Sequence, residues 1–167
     1  MEILKAATEW AKDEIFSSKF FILFGILFLV ATFGFWKLAK TDVAKAFIYP
    51  TLVAGILLLA IGIGLLYTNK SRLANFPNDY KNNPTAFVKA EINRADKTVK
   101  EFKTVVFTAI PIIMVVAALL IIFIDKPIWR AISITTIAMM IVILLVDSNS
   151  SKRMKDYHQQ LLLEEKK

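Results

Sequence analysis

Four stretches of this chain carry no charged side chain: residues 20–36, 46–68, 105–124 and 131–146. That feature restricts the fold more than any other. A helix rises about 1.5 Å per residue, so about 20 residues cross a hydrocarbon core of about 30 Å. The first and fourth stretches are short, but Lys19, Lys37, Trp129 and Arg130 flank them. Lys and Arg snorkel and Trp favours the headgroup zone, which brings both to spanning length. Lipid offers backbone amides no partner, so helices are the state expected of all four runs. The alternation of a barrel strand is absent. Glu2, Glu9, Asp13 and Glu14 precede the first run. A cleaved leader avoids such acids, so the run is expected to be a retained span.

The fold class expected is therefore all-α: a polytopic membrane protein with four transmembrane helices in two antiparallel hairpins. Positive charge sets its orientation. Grouping the segments between spans alternately puts sixteen Lys and Arg on one side and five on the other. The richer side faces the cytoplasm by the positive-inside rule, which places both termini and the loop between the second and third spans inside, in the plasma (inner) membrane. Basic residues beside a bilayer attract anionic lipids, and this accounts for the net charge of +7 without a nucleic-acid partner.

Residues 1–18 read as an amphipathic helix. Ile3, Leu4, Ala7, Trp10, Ala11 and Ile15 share one side, and Glu2, Lys5, Glu9, Lys12 and Asp13 the other. The expectation is a helix lying on the inner leaflet, with Trp10, Trp36 and Trp129 as interfacial anchors. Residues 19–68 form the first hairpin. Residues 69–84, rich in Asn and holding Pro77 and Pro84, read as a cytoplasmic linker. Thr85 can then cap a new helix. Beyond it Val88, Ile92, Ala95, Val99, Phe102 and Val106 follow heptad spacing and nothing breaks the helix before the third span. Residues 85–146 are thus expected as a stalk helix continuous with the third span, a tight turn at residues 125–127, and the fourth span. Residues 147–167 extend the fourth span as a cytoplasmic helix whose Met154, Tyr157 and Leu161 fall on one face and pack on the seam or on another subunit.

Gly55, Ala60, Gly62 and Gly64 give the second span small residues for close helix packing or a subunit contact. Pro111 cannot donate to the Phe107 carbonyl and is expected to kink the third span. Ser133, Thr136 and Met140 share a face of the fourth span, and Asp147 ends it. They would line a pore in an oligomer, or make ordinary helix contacts, with Asp147 paired to Lys100 or Lys103. Glu91, Arg94, Asp96 and Glu101 read as solvated stalk charges.

Enzymatic chemistry has no visible basis. Cysteine is absent, His158 stands alone in the tail, and neither a nucleophile elbow nor a phosphate-cradling glycine loop occurs. No catalytic, cofactor or metal residue is expected. Two functions stay open: a homo-oligomeric ion-conducting pore with a cytoplasmic gating stalk, and a non-conducting anchor or scaffold that presents its stalk to a cytoplasmic protein partner.

Overall fold

A computed structural model describes residues 2–165. Met1, Lys166 and Lys167, which end the expected first and last segments, lie outside the described residues. The described chain is all-helical: α1 (Glu2–Leu38), α2 (Asp42–Lys45), α3 (Ile48–Asn82), α4 (Pro84–Glu101), a π-helical segment (Phe102–Ala109), α5 (Ile110–Phe123) and α6 (Pro127–Glu165). Four helical stretches, Glu2–Leu38, Asp42–Asn82, Pro84–Phe123 and Pro127–Glu165, are long and apolar enough to cross a membrane.

α1 lies against α3, and the contacts run in opposite chain directions. Cβ positions on Gly62, Gly55 and Gly25 would approach Ile22, Leu29 and Leu59, respectively, at 2.8 Å. Farther along, the Thr32 hydroxyl donates to Thr51 at 2.9 Å, and Thr51 donates back to the Phe47 carbonyl at 2.7 Å. Phe35 then stacks on Phe47 at 5.2 Å beside the short connection. The absence of a side chain at Gly25, Gly55 and Gly62 lets the two backbones touch, which is the attraction available to helices in lipid. Ala60 and Gly64 belong to the other face of α3. Both are exposed, and nothing lies within 4 Å of a Cβ on Gly64.

Two expected boundaries change. Residues 1–18 are not a separate interfacial helix, because α1 is continuous from Glu2 to Leu38. Residues 69–82 are not a linker, because α3 continues to Asn82. Asn69, Leu73, Phe76 and Tyr80 explain the second change: at spacings of four, three and four they bring one face of α3 onto the other polar helix ends. That packing outweighs the turn preference of the asparagines and the backbone bond that Pro77 forgoes, and Pro77 itself is exposed. A single non-helical residue, Asn83, reverses the chain. Its amide closes α3 on the Asp79 carbonyl at 3.1 Å, and its side chain accepts from the Ala86 amide at 2.9 Å. Asn83 is therefore the cap of α4 in place of Thr85, with Pro84 in the first turn where its missing N–H costs nothing.

The helix from α4 to α5 is not uniform. Residues Phe102–Ala109 take the wider π-helical winding just before Pro111. The Thr108 hydroxyl donates to Lys103, five residues back, at 3.0 Å. A π segment thus stands just before Pro111, the residue expected to kink this span.

Candidate functional site

The apolar halves of the helices and their polar halves pack differently. In the polar halves, α1, α3, α4 and α6 close on one buried cluster that includes Ile3, Ala7, Trp10, Phe76, Phe87 and Leu161. Of the seam residues read from the sequence, all but Val106 belong to it. Val88, Ala95, Met154, Tyr157 and Leu161 are buried in the cluster, and Ile92, Val99 and Phe102 pack on its edge. Trp10 is 6% exposed and stacks on Tyr157 with ring centres 5.5 Å apart, so it is a core residue rather than a headgroup anchor. The apolar face read for residues 3–15 is correct, but three other helices cover it. Trp36 and Trp129 are exposed near the opposite ends of α1 and α6.

A charged hub occupies this core. Glu91, expected in water, is only 7% exposed. It accepts from the Tyr157 hydroxyl at 2.8 Å and from two nitrogens of Arg94, with Nε at 2.9 Å. The Arg94 guanidinium also lies 4.1 Å from the centre of the Trp10 ring. Burial, and then the Glu91 carboxylate beside it, push the Tyr157 hydroxyl far above its usual pKa, so it stays protonated and donates. A buried carboxylate is tolerable only when its lone pairs are taken, and Glu91 meets that condition. Arg94 is corrected in the same way, since its side chain is largely buried against Glu91. Asp96 remains a surface charge paired with Lys100 at 2.7 Å, and Glu101 one near Lys97 at 3.9 Å.

A second pair sits nearer the apolar halves. Arg153 donates to Glu14 at 2.9 Å, to Ser17 at 2.7 Å and to Ser150 at 3.0 Å. It ties the start of α1 to the end of α6 across 139 residues of sequence. A third guanidinium, Arg72, donates to Asn69 Oδ1 at 3.0 Å and lies 5.9 Å from the Trp10 ring centre. Burial first, and Arg94 second, hold its pKa below the usual value. Sequence reasoning missed this hub. The available signal was Glu91 falling one residue before Ile92 on the seam, with Tyr157 on the facing stripe.

The residues considered for a pore are spread out. Ser133 is 1% exposed, and its hydroxyl finds no partner among the described residues. Thr136 is half-buried and, with Met139, lines an apolar groove of about 260 Å³ against Tyr49 and Val53 of α3. Met140 is half-buried. Asp147 is half-buried too and makes no ion pair among the described residues, so the expected pairing with Lys100 or Lys103 does not form.

No protein-family model matches this chain. Neither a curated protein nor a solved structure is similar to it.

Proposed function

We propose that the chain is a non-enzymatic multi-pass membrane protein that anchors a rigid four-helix bundle on the cytoplasmic face of the bilayer, as a scaffold for a protein partner. The observation that carries this reading is the closure of α1, α3, α4 and α6 on a single buried core around Trp10, Glu91 and Tyr157. A loose stalk awaiting a second subunit would leave that seam exposed. Here the seam is satisfied within one chain, so the bundle's outer surface is what remains for a partner. The segments that converge on the bundle are also those that hold sixteen of the chain's Lys and Arg, which supports an inward-facing bundle.

The pore reading has less support. Ser133 is covered inside the chain, and α1 and α3 meet backbone to backbone at Gly25, Gly55 and Gly62, where no channel fits between them. The lack of native cysteine makes the topology directly testable. Lys126→Cys and Lys81→Cys variants in intact cells should react differently with a membrane-impermeant maleimide. Labelling of Lys126→Cys from outside, and of Lys81→Cys only after lysis, is the expected result. The reverse pattern would put the bundle outside. The native mass in nanodiscs decides between the two functions. A single 18.9 kDa chain that gives no ion flux in liposomes supports the scaffold. A ring-sized oligomer with flux sensitive to Thr136→Leu would replace it with the pore.

A further inference from the structure

Between α3 and α4 a groove of about 340 Å³ runs along the side of the bundle, with Arg72 in its wall. The charges around it do not balance. Of three guanidiniums in the core, Arg94 is matched by Glu91 and Arg153 by Glu14. Arg72 touches only the neutral Asn69 side chain and the Trp10 ring; Glu91 and Glu14 act on it from a distance, each already paired to another guanidinium, and it makes no ion pair among the described residues. A half-buried cation with no carboxylate in direct contact is under-compensated, and an anion seated on it is the group that would relieve it. The groove supplies further donors in Ser71 and Asn75.

Its level along α3 suggests what the anion is. Thr68 ends the second charge-free stretch, and Arg72 stands one turn beyond it. That is the depth at which lipid phosphates lie if the stretch crosses the bilayer. The exposed Tyr67 at the mouth suits the same zone. Two carboxylates also line the groove. Glu91 is engaged by Arg94 and Tyr157, whereas Asp79 stands two turns beyond Arg72, about 10 Å farther from the bilayer.

We propose that this groove binds the headgroup of a membrane phospholipid, its single phosphate on Arg72 and its far end toward Asp79. The arrangement favours a headgroup that ends in an ammonium, such as phosphoethanolamine, over one bearing more phosphates. Asp79 attracts the first and repels the second. The inference rests on the membrane reading above.

The test uses the full chain with Trp36→Phe and Trp129→Phe in detergent, so that Trp10, beside Arg72, is the only tryptophan. Short-chain phosphatidylethanolamine should change Trp10 emission saturably, and Arg72→Gln should weaken that response about tenfold or more. Ser71→Leu, which fills the groove and leaves Arg72 in place, should weaken it as well. It serves as the deciding variant if Arg72→Gln does not fold. Asp79→Asn should improve binding of a bisphosphorylated inositol lipid. An unchanged response in either Arg72→Gln or Ser71→Leu overturns the proposal. An equal response to inorganic phosphate at the same concentration overturns the lipid as the source of the phosphate. Alkali extraction of cell membranes separates the two levels of inference. Release of the wild-type chain would remove the membrane reading, whereas a retained chain with no lipid response removes only the groove.

Discussion

Replacing Glu91 with alanine removes the carboxylate from a site where two donors converge. The Glu91 side chain is 9% exposed and Arg94 is 18% exposed, so water cannot substitute for what is lost. Deleting one partner of a buried ion pair leaves the other charge uncompensated and costs about 3–5 kcal/mol. The Trp10 contact is already present in the wild type and compensates for nothing new. Tyr157→Phe is milder. It removes one hydrogen bond to a charged acceptor, worth about 1.5–3 kcal/mol, and leaves the Arg94 pair in place. The Glu91→Ala/Tyr157→Phe double variant should cost less than the sum of the two, because the hydroxyl has no acceptor once Glu91 is gone. Denaturant unfolding in a fixed detergent, read from Trp10 emission in the Trp36→Phe/Trp129→Phe background, gives all three values. A Glu91→Ala cost below about 1 kcal/mol would refute the buried hub, since exposed pairs are worth about that or less. Additive single effects would refute the Tyr157–Glu91 bond.

Three further perturbations probe other parts of the fold. Gly62→Ala puts a methyl within 2.9 Å of the Ile22 amide nitrogen and should destabilise by about 1–3 kcal/mol in detergent-titrated unfolding. Gly64→Ala meets nothing within 4 Å and should be neutral or stabilise by up to about 1 kcal/mol. Equal effects would remove the α1–α3 crossing. Arg153→Met leaves the mostly buried Glu14 carboxylate without its cation and should cost several times as much as Lys97→Met, whose partner Glu101 is exposed. Comparable losses on thermal unfolding would mean that the Glu14 pair is solvated. Deleting Thr104, an exposed residue within the π-helical segment, should allow α-helical winding there and keep most of the helical circular dichroism. Deleting Asn93 instead turns half the α4 seam away from its partners and should unfold the bundle. The opposite ranking would show that the π winding is essential.

The apolar parts of the fold were legible because a bilayer-length run without charge has few alternatives. Four such runs appear as four long helices, and the seam of α4 and the stripe on α6 were readable from spacing alone. Local signals failed where they competed with packing. Asn and Pro mark a turn at residues 69–84 by composition, yet Leu73, Phe76 and Tyr80 recover more by burial than the turn would by flexibility. Amphipathic periodicity at residues 3–15 identifies a face and cannot say whether lipid or protein covers it.

The chain's own residues therefore determined which segments are helical and apolar, which faces of the polar helices are sticky, and how unevenly the charge is distributed. Tertiary structure alone decided that four polar segments share one core, that Glu91 and Arg94 leave water, and that Arg72 makes no direct ion pair among the described residues. The physical reason is distance. Hydrophobic length and helical periodicity are set by neighbours within a few turns, whereas Glu91 meets Tyr157 across 66 residues and Glu14 meets Arg153 across 139. Such pairings exist only once the four helices have docked.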